Sequence, residues 1–105
     1  VSIQDVDKEE IDVLINCSPV GMSPNLEETP VPSRCLRKGM IVFDSVYNPI
    51  ETRLIREARV SGCVTISGVE LFVNQAVGQF ELWTGQKAPT DIMRDVVVRG
   101  LEGKV

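Results

Sequence analysis

Three apolar runs in this 105-residue chain end in small polar residues: Asn16-Cys17-Ser18, Asp44-Ser45-Val46-Tyr47 and Ser67-Gly68. Amides, hydroxyls and a backbone free of side chain can hold a polar ligand by hydrogen bonds, although ordinary strand-to-loop transitions use the same residue types. Asp44 is the one carboxylate among them, and an aspartate beside Ser45 at a strand end reads as a brace for the following loop before it reads as a general acid or base. Tyr47 either offers its hydroxyl to a ligand oxygen or packs its ring and leaves the hydroxyl in water. Gly68 places backbone N–H groups and the positive end of a helix dipole beside a strand terminus and lets a ligand approach closely, with a tight turn as the competing explanation. Gln75, two turns into that helix, carries both donor and acceptor, as recognition of a polyhydroxy compound requires; a plain surface glutamine competes. The chain has no histidine, which removes imidazole bases, His-dependent triads and His metal sites from these residues.

The elements that would present these groups follow from periodicity. Val13 to Cys17 (VLINC) is a nearly continuous apolar run, the pattern of a parallel strand buried on both faces. SPVGMSPNLEETPVPS holds four of the six prolines and must be a loop. Ser33 to Lys38 fits a short helical turn stopped by Gly39, and a second strand begins in Met40 to Val46. Asn48-Pro49-x-Glu51 looks like a helix start, with Leu54, Ile55 and Ala58 as its apolar face and Gly62 as its stop. Cys63 to Ile66 supplies a third strand, so the order strand, helix, strand predicts a βαβ unit and an α/β fold.

Ser67-x-x-Glu70 has capping-box spacing and opens a helix from Gly68 or Val69 to Thr84, closed by Gly85. Val69, Phe72 or Val73, Ala76, Phe80 and Trp83 form a packing stripe, while Leu71, Gln75, Gly78, Gln79 and Leu82 form a mixed face suited to a cleft. After Pro89 a last amphipathic helix is expected to turn Ile92, Met93, Val96, Val97 and Leu101 inward and Arg94, Asp95, Arg99 and Glu102 outward.

Composition narrows the function. The net charge is -4, from 11 basic and 15 acidic residues without a basic cluster, which gives no footprint for nucleic acid. No apolar run reaches the ~20 residues of a membrane span, and the first residues do not form a signal peptide. Cys17, Cys35 and Cys63 lack CxxC spacing, so neither a zinc site nor any other metal centre is expected, and a reducing compartment is.

Three ordered blocks, NCSPVGMSPN, VFDSVYNPIETRLIREA and ISGVELFVNQAVGQFELWTG, resemble the successive C-terminal signature blocks of the shikimate dehydrogenase family over roughly residues 11 to 93. The resemblance implies that residues 1–105 are the C-terminal portion of an NADP-binding domain: part of a Rossmann-like, three-layer parallel sheet with flanking helices. It implies an enzyme that reversibly reduces 3-dehydroshikimate to shikimate with NADPH, on the route to chorismate and the aromatic amino acids. Matched position by position, Tyr47 and Gln75 are implied to contact shikimate, and Ser18, Ser45 and Gly68 to contact NADP. Leu71 stands where relatives often have methionine, and Cys17-Ser18 where an Ala-Thr or Thr-Thr pair is common.

No glycine spacing here makes the GxGxxG pyrophosphate cradle, and neither Lys8 nor Asp44 fits the family's catalytic lysine or aspartate, which belong to its substrate domain. The expected partners are therefore shikimate or 3-dehydroshikimate and the missing N-terminal domain of the same enzyme, with no catalytic residue in this segment and no activity by itself. Exposed edges and faces predict self-association, as in a homodimer, or marginal stability. The implied location is the cytoplasm, or a plastid for plant members fused to a dehydroquinate dehydratase. Two alternatives remain: a quinate-preferring or NAD-using relative, and a non-catalytic α/β interaction module.

Overall fold

A computed structural model of the chain describes residues 2–103. Three strands, β1 (Val13–Asn16), β2 (Ile41–Asp44) and β3 (Val64–Ile66), form one parallel sheet in the order β1-β2-β3. Three helices follow in chain order as α1 (Arg53–Val60), α2 (Gly68–Thr84) and α3 (Thr90–Leu101), and 3-10 turns occupy Ile3–Lys8 and Ser33–Cys35. The register places Val13 beside Ile41 and Ile41 beside Val64, then Ile15 beside Phe43 and Phe43 beside Ile66. The predicted α/β class and βαβ order are the observed ones, in a Rossmann-like arrangement.

The core lies on one face of the sheet, where Leu54, Ile55 and Ala58 of α1 pack with Val42, Val31, Cys35, Leu36 and Met40. The expectation that β1 is buried on both faces is corrected here. Val13 and Ile15 are 50% and 55% exposed. Strand side chains alternate, so these two share a face with Ile41, Phe43, Val64 and Ile66, and no described helix lies across that face. The apolar run is real; what it lacks is a cover.

Helix α1 begins at Arg53, four residues later than an Asn48 cap would place it. Thr52 is the cap: its hydroxyl oxygen accepts the N–H of Ile55 at 3.3 Å and donates to the buried carboxylate of Asp44 at 2.7 Å. A cap that is also tied to the sheet overrides a locally plausible Asn-Pro start. Helix α2 has the predicted limits, and Gly85 ends it in the left-handed region (φ 66°), where a glycine is needed.

The capping box does not form. Ser67 occupies the cap position but makes no side-chain cap bond. Glu70 instead takes the guanidinium of Arg94 on α3, at 3.2 and 2.9 Å. This fork-to-fork pair raises the Arg94 pKa above its ordinary value, through the hydrogen bond first and the charge of Glu70 second.

The same pair corrects part of the expected orientation of α3. Arg94 turns toward α2, and Ile92 and Val96 are 66% and 57% exposed, while Met93, Val97 and Leu101 are half-buried and Asp95, Arg99 and Glu102 face outward as expected. Val69 and Val73 of the expected α2 stripe are buried, but Trp83 at its far end is 77% exposed, because α2 runs beyond the sheet and meets little except α3. The molecule is correspondingly long, 47 × 28 × 22 Å. No described helix is long and apolar enough to cross a membrane, and all three cysteines are free thiols.

Candidate functional site at the carboxyl ends of the strands

Parallel strands deliver their carboxyl ends, and the loops that follow, to one edge of the sheet, where open α/β folds bind ligands. Here Asn16, Asp44 and Ile66 end at that edge. An open depression of about 430 Å³ lies between the loops after β1 and β2, with Cys17, Ser18, Met22, Ser45 and Tyr47 among its lining residues. Its size is within the ordinary range of small-molecule sites.

Beneath it, polar residues are fully engaged. Asn16 is 5% exposed and Asp44 is 0% exposed. The Asn16 amide nitrogen donates to Asp44 Oδ1 and to the carbonyl of Val20, both at 3.1 Å. Its oxygen accepts the N–H and hydroxyl of Ser18 at 3.1 and 2.6 Å. Asp44 Oδ1 also accepts the N–H of Val46 at 3.0 Å. Asp44 is thus a brace, as its type and place suggested, and it faces no ligand surface.

Ser18 and Ser45 reach the depression, yet their hydroxyls are committed elsewhere. Ser18 Oγ accepts the Val20 N–H at 3.3 Å while donating to Asn16. Ser45 Oγ donates to the Asn16 carbonyl at 2.8 Å. What these two residues present to a ligand is therefore mainly backbone and the hydroxyl's outer side.

Tyr47 lies at the rim, 40% exposed, with its ring 4.6 Å from that of Phe72 on α2, the planes tilted by 34°. Gln75, one turn further along α2, is exposed, and its amide nitrogen donates to the Phe72 carbonyl at 3.1 Å. Phe72 therefore links the two expected substrate contacts, Tyr47 through its ring and Gln75 through its carbonyl. Gln75 lies outside the residues lining the depression.

Gly68 also lies outside that lining, directly behind it. A Cβ there would come within 2.3 Å of the Val46 carbonyl oxygen and 2.8 Å of that of Ser45. The close approach that requires glycine is thus to the chain's own β2 loop, which packs the N-terminus of α2 against the back of the depression. The structure brings Ser18, Ser45 and Tyr47 together around one hollow, sets Gly68 against its back wall, and leaves Gln75 on the adjoining helix face.

Three contributors escaped the reading of single residues: Asn16, Thr52 and Phe72. Asn16 had a signal, as the polar residue closing an apolar strand, and Thr52 had one as a cap-type residue before an amphipathic run. Phe72 looked like core, and its contact with Tyr47 depends on where α2 crosses the sheet edge.

Known proteins share the sequence and fold of this chain. The shikimate 5'-dehydrogenase C-terminal domain matches residues 68–98. A shikimate dehydrogenase (NADP(+)) of Methanosarcina mazei is 50% identical over 93 residues, covering 89% of this chain and 33% of that protein. A crystal structure of shikimate dehydrogenase in complex with NADP+ superposes with a TM-score of 0.86 at 35% identity, over 93% of this chain and 34% of the other. Quinate dehydrogenase from Corynebacterium glutamicum in complex with NAD gives a TM-score of 0.81 at 36% identity, over 90% and 34%. The chain spans about a third of the length of each of these relatives. With nearly all of its length aligned in both sequence and fold, the chain belongs to the shikimate dehydrogenase family and corresponds to the C-terminal part of its members.

Proposed function

We propose that the chain is the C-terminal portion of the cofactor-binding domain of an NADP-dependent enzyme that reversibly reduces 3-dehydroshikimate to shikimate. The observation that carries this reading is the convergence of Ser18, Ser45 and Tyr47 on one hollow at the carboxyl edge of a parallel sheet, with Gln75 coupled to Tyr47 through Phe72. The similarity to NADP-linked shikimate dehydrogenases supports the choice of substrate and cofactor.

The residues fit one end of a dinucleotide. The hollow between the Ser18 and Ser45 loops, about 430 Å³, has the size of a small-molecule site, while the glycine spacing of a pyrophosphate cradle is absent from the chain. Ser18, Ser45 and the Gly68 helix terminus would hold the nicotinamide end, which supplies hydride exchange with the substrate carbon when bound. Tyr47 would hydrogen-bond a substrate oxygen from the rim, and Gln75 would bridge neighbouring oxygens with its donor and acceptor. Among these residues none is placed to carry the proton of the reaction. Their contribution is orientation, bringing two reactants to near-attack distance.

The test is the full-length protein containing this chain, assayed for shikimate-dependent NADP⁺ reduction by absorbance of the reduced nicotinamide, with quinate and NAD⁺ as parallel pairings. Turnover with shikimate and NADP⁺, and a Gln75→Ala variant that loses mainly substrate affinity, are the expected results. The likeness to a quinate dehydrogenase with NAD favours one second reading, a quinate- or NAD-preferring enzyme, which a reversed ranking of the four pairings would establish. Absence of turnover in all four would overturn both. Residence in the cytoplasm, or in a plastid for a plant protein, is part of the same proposal and is checked by fractionation.

A further inference from the structure

Resting on the reading above, we propose that Asn16 and Asp44 are the positioning residues of the site: their buried side chains set the separation of the two loops that receive cofactor and substrate. Neither residue lines the hollow, so each acts through others.

The case begins with hydrogen-bond capacity. An asparagine amide has two N–H donors and an oxygen with two acceptor directions, and all are used here. One N–H goes to Val20 in the β1 loop and the other to Asp44 across the sheet, while the oxygen takes both bonds from Ser18. The Asn16 main-chain carbonyl adds two more links to the β2 loop, accepting the Ser45 N–H at 3.0 Å and the Ser45 hydroxyl at 2.8 Å. Asp44 in turn accepts from Asn16, from Val46 beside Tyr47, and from Thr52 at the cap of α1. A fully satisfied buried network has one low-energy arrangement, so removing one member releases groups in both loops.

The connections divide the labour. Asn16 holds the Ser18 loop directly and reaches the Tyr47 loop through Asp44; Asp44 holds the Val46 amide and α1 directly and reaches Ser18 only through Asn16. Because the Ser18 hydroxyl is consumed inside its own turn, the loop's position decides what a cofactor meets there.

Two measurements on the full-length protein test the proposal. In kinetics, Asn16→Ala is expected to raise the KM for the nicotinamide cofactor about tenfold while the shikimate KM changes less than about twofold, and Asp44→Ala to raise both. Asp44→Asn, which keeps an oxygen for Asn16 and Val46, is expected to restore most of the loss. A destabilisation without that split, with both KM values at wild type in folded Asn16→Ala, overturns the proposal.

Amide hydrogen exchange gives a readout that needs no turnover. Asp44→Ala is expected to quicken exchange at Ser18 and Val20, which it reaches only through Asn16, and unchanged rates there overturn the coupling. Should Asp44→Ala not fold, Asn16→Ala carries the same test in reverse at the Val46 amide. If no substrate pairing turns over, the functional reading fails by itself, and the exchange rates still decide whether the two loops are held by this pair.

Discussion

On the face of the sheet toward α1, Val42 and Asp44 are 0% exposed and lie beneath Leu54, Ile55 and Thr52, each at 1%. On the opposite face, residues of the two flanking strands are half in water: Val13 at 50% and Ile15 at 55% on β1, Val64 at 56% and Ile66 at 40% on β3. Both sets are aliphatic apart from the polar strand ends, and both occupy regular parallel strands. The difference teaches that β-strand sequence specifies two apolar faces, while the elements available to lie on them decide which becomes core. The covered face also carries the Asn16–Asp44–Thr52 network, so the polar residues at the carboxyl edge are rooted in the side that is packed.

The sharpest way to break this contrast is a pair of truncations in the 105-residue chain. Leu54→Ala opens a cavity in the covered face and is expected to lower stability by about 2–5 kcal/mol, against about 1 kcal/mol or less for Ile15→Ala on the open face. Urea unfolding measures both. Equal losses would mean that the open face is covered in solution, and sedimentation would show whether a second copy does it. Where the rest of the proposed domain is attached, the Ile15 loss is expected to climb toward that of Leu54.

A smaller effect marks the boundary between the two regions, where α2 leaves the sheet edge. Gly68→Ala forces a methyl into the Val46 carbonyl, and the resulting shift is expected to destabilise by about 1–3 kcal/mol and to weaken cofactor binding in the full-length protein. Denaturant midpoint and a cofactor titration read the two consequences. A neutral Gly68→Ala would mean that α2 is not seated against that carbonyl.

The smallest expected effect concerns Cys63, just before β3. Desolvation raises its thiol above the ordinary value of 9.0, partly opposed by its hydrogen bond to the Arg37 carbonyl. A group whose pKa is higher in the folded state contributes stability below its unfolded value and loses that contribution as the pH climbs through the folded one. Stability is therefore expected to slip slightly above pH 9.0, less so in Cys63→Ser, by comparing urea midpoints at increasing pH. Cys17, which is exposed, is expected to react with alkylating agents before Cys63 does.

Much of the fold was legible because the signals were local. The limits of α2 follow from Ser67 and Gly85, the α1 face from Leu54, Ile55 and Ala58, and the strands from their aliphatic runs. The errors share a cause in partners distant along the chain. Glu70 has the spacing for a capping box, yet an arginine 24 residues on gives it a bidentate partner with opposite charge. Asn48-Pro49 resembles a helix start, yet Thr52 has the buried Asp44 to anchor it. For the candidate site, residue type and strand order placed Ser18, Ser45 and Tyr47 at the carboxyl edge of the sheet, where they line one hollow. Nothing local could show that the two serine hydroxyls are spent on the Asn16 turn, or that Gly68 answers to the Val46 carbonyl. The ligand roles came from the family resemblance, because hydrogen-bonding groups at a strand end do not specify what they bind.

The exposed indole at the end of α2 gives the molecule a built-in optical probe. Trp83 is the sole tryptophan of the chain and stands 77% in solvent, about three helical turns along α2 from Phe72, against which the only tyrosine packs. Its fluorescence should therefore emit at the red end of the indole range and be readily quenched by iodide. Any surface that comes to rest on the outer end of α2, whether a second copy or another part of a longer enzyme, would shift that emission to the blue and shield it, reporting assembly without a label.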